Sequence, residues 1–101
     1  MPQRLHRKHW RERMPPGSKG VARPSFFSNQ FDTKTYGPPA VCVQLFIEKY
    51  EQDRDYRARV IRELRGKDLW CYCALYDENG MRVPCHADVL LQWANSAEEP
   101  R

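Results

Sequence analysis

An apolar run without charge or glycine, Leu69-Trp70-Cys71-Tyr72-Cys73-Ala74-Leu75, leaves a strand no polar side to turn to solvent. Such a strand must be covered on both faces, which points to a sheet with helices packed on it. Helical periods lie on either side of the run. Val41, Cys42, Leu45, Phe46 and Lys49/Tyr50 recur at helical spacing, with Pro39 suited to the first turn. Asp53 or Asp55 can cap a second helix with Tyr56, Val60, Ile61 and Leu64 on its apolar side, and Gly66 ends it. A third helix spans Cys85 to Asn95, with Val89, Leu90, Trp93 and Ala94 facing inward and Asp88 in its first turn.

Met14-Pro15-Pro16-Gly17 and Gly37-Pro38-Pro39 interrupt regular structure in the first half. Between them, Lys19 to Arg23 reads as a short strand ending at Pro24, and Ser25 to Tyr36 as a polar, aromatic loop. Asp77-Glu78-Asn79-Gly80 is a turn, with Tyr76 and Met81/Val83 placed to pair across it. A strand, two helices and another strand imply a crossover between parallel neighbours. The fold class expected is therefore α/β: one small domain, a short mostly parallel sheet and about three helices, with α+β as the alternative. At 101 residues there is room for one core only. Residues 1–18 read as a basic N-terminal arm, 19–96 as the domain and 97–101 as a C-terminal tail.

No apolar run approaches the ~20 residues that cross a bilayer, and the charged start has no apolar stretch behind it. A cytoplasmic location and no membrane partner are expected, and in that setting free thiols or metal ligands are favoured over a disulfide framework. Charge is concentrated at the start: Arg4, Arg7, Lys8, Arg11, Arg13, Lys19 and Arg23 stand against Glu12 alone. Such a segment is either a solvated, solubilising face or a contact for phosphates. Trp10 among Arg7, Lys8 and Arg11 favours nucleic acid, because an aromatic ring stacks on a base while guanidinium groups hold the backbone.

The chemistry-bearing cluster is Cys71, Cys73, Cys85 and His86. Cys71 and Cys73 point to one face of a strand, ~6.5–7 Å apart, so they meet one ion only if the strand bends near Cys73. Three thiolates and an imidazole are an accepted zinc set, although CxC followed by CH lacks the CxxC knuckles of zinc fingers. Zinc is the candidate cofactor. Alternatively Cys85, at a helix N-terminus, is a reactive thiolate. His86, roughly 100° away around a helix, then serves as a general base toward substrate. The plainest account makes these cysteines buried small hydrophobes, and it suits Cys42, on a helix face with Val41 and Leu45, best of all.

If the two strands are parallel and adjacent, the loops leaving their carboxyl ends open into one crevice. That places Arg23, Ser25 and Asn29 beside Cys73, with Cys85 and His86 at the start of the third helix. Arg23 can also be a surface ion-pair partner and Asn29 a loop brace.

The segments MPPG (Met14–Gly17), VARPS (Val21–Ser25), SNQF (Ser28–Phe31), LRGKDLWCYC (Leu64–Cys73) and PCHADVLLQWAN (Pro84–Asn95) resemble a family common in phages and their bacterial hosts, domain of unknown function 4326. The last two are the specific ones. The family loop Trp-Gly-Asn-Pro-Phe is here Phe27-Ser28-Asn29-Gln30-Phe31, so Asn29 and Phe31 match while three positions differ. The loop from Cys73 to Cys85 is longer than typical. The resemblance implies a phage-type setting, hence a bacterial host cytoplasm, and brings no reaction with it. From the residues, the reading is a binding module for a phosphate-bearing partner, nucleic acid or nucleotide, with a Cys/His pocket. A small enzyme using Cys85 or His86 on a nucleotide-like substrate, or an accessory protein binding a host protein, are the alternatives.

Overall fold

The computed structural model describes residues 2–96, with a strand from the apolar run at the centre of a three-stranded parallel sheet. In chain order the elements are β1 (Arg4–His6), β2 (Lys19–Gly20), α1 (Thr33–Tyr36), α2 (Pro39–Tyr50), α3 (Arg54–Leu64), β3 (Leu69–Cys71) and α4 (His86–Ala94). The sheet order is β1-β3-β2. Arg4, Leu5 and His6 lie against Leu69, Trp70 and Cys71, and Lys19 and Gly20 against Leu69 and Trp70. The α/β class and the parallel pairing are as the sequence implies. No described helix is long and apolar enough to cross a membrane.

The helices form where the local signals are strongest. Pro38 and Pro39 open α2, which buries Cys42 and Phe46 four residues apart. Asp53 accepts a hydrogen bond from the Tyr56 N–H at 3.0 Å and starts α3, whose Tyr56, Val60 and Leu64 form one buried stripe. Gly66, at φ 79°, turns the chain out of that helix. In α4, Ala87, Val89, Leu90, Trp93 and Ala94 are buried, and the helix packs on α3, α2, β1 and β3. Phe27, Phe46, Leu64, Leu69 and Leu90 are the largest fully buried side chains. Each contributes ~1.5–3 kcal/mol by leaving water.

Four sequence expectations change. The segment 1–18 is not simply an arm: Arg4–His6 is an edge strand of the sheet, and Arg4 is buried. The strand expected over Lys19–Arg23 pairs only at Lys19–Gly20. The loop Ser25–Tyr36 contains one helical turn, capped by the Asp32 carboxylate on the Thr35 N–H at 2.7 Å. The apolar run pairs only as far as Cys71, bends at Tyr72-Cys73, and returns through an antiparallel bridge between Tyr76 and Arg82. The tail 97–101 lies outside the described residues.

The cover on the second sheet face is also different in kind. Leu69 and Cys71 are buried on the inner side of β3, while Trp70 projects to the other side and is half-buried. There it is capped by the Arg7 guanidinium, 4.7 Å from the ring centroid, and packs closely against Gly20. A Cβ at position 20 would come within 2.4 Å of Trp70 Cζ2. Gly20→Ala should therefore push the indole aside and destabilise the domain by ~1–3 kcal/mol. Thermal melting with tryptophan emission checks this, and an unchanged melt would show that Trp70 is not packed there.

Candidate functional site

A parallel sheet opens its crevice at the carboxyl ends of the strands, and three cysteines meet there. β3 delivers Cys71 as its last residue, and the bend at Tyr72-Cys73 swings the second thiol back toward the first. Cys85 arrives from the other side as the extended N-cap of α4. All three Sγ atoms lie within 4.8 Å of one another, with Cys71 and Cys85 at 3.1 Å. A straight strand would have kept Cys71 and Cys73 ~6.5–7 Å apart, so the bend creates the site. The cluster is a set of residues that can hold a metal ion.

What holds the bend is a residue that sequence reading missed. The Arg4 side chain has no exposed surface. Its Nη2 donates to the carbonyls of Ala74 (2.9 Å) and Leu75 (3.4 Å), and its Nη1 to the carbonyl of Val83 (2.8 Å). The same Nη1 donates to the Asp88 carboxylate at 2.6 Å, in the first turn of α4. Arg4 thus grips both ends of the excursion between Cys73 and Cys85, and the helix that follows. Asp77 shapes the tip by accepting from the N–H groups of Asn79 and Met81, each at 2.9 Å. In the sequence, Arg4 is one base among many; no local pattern distinguishes the one that is buried.

The three thiols are not equivalent. Cys71 and Cys85 are buried, whereas Cys73 is exposed. Hydrogen bonds from Cys71 and then Cys85 hold the Cys73 thiol far below the usual thiol range, with the Arg4 charge adding to the effect. Donating to Cys73 pushes Cys71 up to about 11. Cys85 is also pushed up, through hydrogen bonds to Cys71 and Cys73 and through burial. The Cys85 thiol is thus pushed up although it sits at a helix N-terminus, and of the three only Cys73 is shifted toward the thiolate.

His86 sits beside the triangle rather than in it. Its Nε2 is 2.8 Å from the Val21 carbonyl, an acceptor only, so Nε2 carries the proton. Burial lowers the imidazole pKa, more than the Val21 hydrogen bond raises it. The neutral ring then turns an Nδ1 lone pair toward Cys85 Sγ, 3.6 Å away. Cys85 has extended, not helical, backbone, so the wide angle expected between these neighbours does not arise. Through His86 the end of β2 is tied to the start of α4.

The cluster forms part of the wall of a cavity of about 550 Å³, which also includes Arg23, Asn29, Phe31, Asp32, Tyr72 and His86. Arg23 and Asn29 thus share a wall with Cys73, Cys85 and His86 across more than forty intervening residues. Asn29 is a brace: its Nδ2 donates to the Cys42 carbonyl (3.1 Å) and its Oδ1 accepts from the Phe31 N–H (2.9 Å). Arg23 donates from Nε to the Asn29 carbonyl at 3.2 Å and is exposed. Ser25 is not in this wall; its Oγ accepts from the Phe27 N–H at 3.1 Å and shapes a turn. Cys42 joins the wall with its thiol 3.7 Å from the Gly37 carbonyl, outside the sulfur triangle.

Arg7, Lys8 and Arg11 are elsewhere. Arg7 stacks on Trp70 and donates to the carbonyls of Glu12 and Trp10. Arg11 lies 4.7 Å over the exposed Trp10 ring, and Lys8 borders a second hollow formed by residues such as His6, Arg13 and Tyr76. Arg7, Lys8 and Arg11 therefore do not line the cysteine cavity, whereas Arg23 does.

A family model described as "Domain of unknown function (DUF4326)" matches residues 5–96. No curated protein and no solved structure matches the chain.

Proposed function

The chain belongs to the DUF4326 family, and we propose that its cysteine cavity is a zinc centre that binds a phosphate-bearing ligand of nucleotide size. The observation that carries this reading is the sulfur triangle. A tetrahedral zinc with Zn–S bonds of ~2.3 Å sets its sulfurs ~3.8 Å apart. The 3.1 Å Cys71–Cys85 separation and the 4.8 Å outer limit bracket that value, so small side-chain rotations suffice. Three thiolates leave one tetrahedral position, open to His86 Nδ1 or to a ligand entering from the cavity. A His that donates its far N–H to a backbone carbonyl has the tautomer suited to ligation.

Phosphate is favoured by the exposed Arg23 guanidinium on the wall and by the formal charge of +4. A concave site of about 550 Å³ suits a small molecule better than a nucleic-acid strand. Arg7 and Arg11, which would have tracked a strand, are stacked on the chain's own aromatic rings. Metal analysis of untagged protein, grown with zinc supplied, should find about one equivalent. Protein that is folded and metal-free under those conditions rules the zinc centre out.

A further inference from the structure

We propose that the same sulfur cluster is an oxidation site, at which a hydroperoxide reacts with Cys73 and the cluster closes into a Cys73–Cys85 disulfide. The inference deepens the reading of this cavity as the functional site, but it rests on sulfur positions alone and holds with or without a metal. Cys73 is the exposed thiol of the three and borders an open cavity, so a small oxidant reaches it. Cys71 and Cys85 are screened from solvent and stay reduced until a neighbour reacts. With every sulfur within 4.8 Å of the other two, an oxidised Cys73 meets a partner thiol without unfolding.

The chemistry balances with one named co-reactant. The Cys73 thiolate attacks one oxygen of the hydroperoxide, the O–O bond breaks, and a sulfenic acid forms with release of hydroxide, or of alkoxide from an organic peroxide. The Cys85 thiol then attacks that sulfur, gives up its proton, and expels the sulfenic oxygen as water. The two sulfurs are oxidised and the peroxide is reduced. Cys85 resolves the intermediate better than Cys71 does. Cys71 and Cys73 are separated by one residue, so their bridge closes a small, strained ring, whereas Cys85 approaches from a separate segment. In metal-loaded protein the step consumes two of the three sulfur ligands and so releases the ion.

The test treats untagged protein, as purified and after chelation, with hydrogen peroxide and maps peptides without reduction. A Cys73–Cys85 linked peptide is expected, with Cys42 still free although it lines the same cavity. Cys73→Ser should slow thiol loss by roughly tenfold or more. Cys85→Ser should stop at a sulfenic acid on Cys73, trapped by a dimedone-type reagent. Direct passage of Cys73 to sulfinic acid in the unaltered protein, or equal oxidation of Cys42, overturns the proposal. So does unslowed thiol loss in Cys73→Ser. Metal content is read on the same samples: metal-free protein that still forms the link refutes the zinc centre alone, and metal-bearing protein that never forms it, even after chelation, refutes the oxidation site alone.

Discussion

Arg4→Met should lower the melting temperature by roughly 10–20 °C, the largest effect of any single substitution among the bases of the N-terminal segment. Methionine keeps much of the volume of the stem but removes every donor. Three backbone carbonyls and one oxygen of Asp88 then lose a buried partner. Each carbonyl left without its donor costs about 1 kcal/mol or more, and Asp88, part-exposed and still paired with Arg82, adds little, so the loss is about 3 kcal/mol. A domain of this size loses roughly 4–8 °C per kcal/mol, which sets the lower end of the range. The loss is comparable to that of one or two core leucines, although the sequence presents Arg4 as a surface charge. Arg82 supplies the control: it pairs with the same Asp88 at 3.2 Å but is exposed, so Arg82→Met should change stability by less than about 1 kcal/mol. Equal melting for the two variants would show that the Arg4 clamp does not hold the domain together. If the sulfur triangle holds zinc, metal content should also fall in the Arg4 variant, because the excursion between Cys73 and Cys85 would lose the Arg4 hydrogen bonds at both of its ends.

The second large effect is on metal removal. If zinc occupies the sulfur triangle at a free concentration about a thousand times its dissociation constant, it stabilises the fold by about 4 kcal/mol. Stripping it with a chelator should then lower the melting temperature by roughly 15 °C or more. Cys85→Ser is buried and will cost stability on its own account, so the informative quantity is the difference with and without chelator. That difference should vanish in Cys85→Ser and Cys73→Ser and persist in Cys42→Ser, whose sulfur lies outside the cluster. Lowering the pH should also release the ion, since each ligating sulfur must be a thiolate and protons compete for it. A melting temperature of the unaltered protein that is the same with and without chelator would exclude a stabilising metal.

The three longer helices were legible because each is announced locally, whereas the single turn α1 was not. Pro39 begins α2, Asp53 caps α3 and Gly66 closes it, and the apolar period of α4 is complete in Val89, Leu90, Trp93 and Ala94. Parallel pairing of β2 with β3 followed from the intervening helices, and with it the meeting of Arg23 and Asn29 with the cysteines in one cavity. The strand β1 was not legible. Three residues carry no period, and an arginine at the inner position reads as solvent-facing until its partners are known.

By itself the sequence determined the elements whose causes lie within a few residues: caps, turn glycines, apolar stripes, and the set of cysteines that could act together. Tertiary structure alone decided how that set is arranged. The bend that brings Cys73 to Cys71 depends on Arg4, seventy residues away from the carbonyls it grips. The exposure of Cys73, the burial of Cys85 and the proton on His86 Nε2 depend on what packs beside them: the other thiols, and the Val21 carbonyl sixty-five residues from His86. Hydrogen bonds and desolvation act through space, so contacts this distant leave no pattern along the chain, whereas backbone propensity acts between neighbours and does.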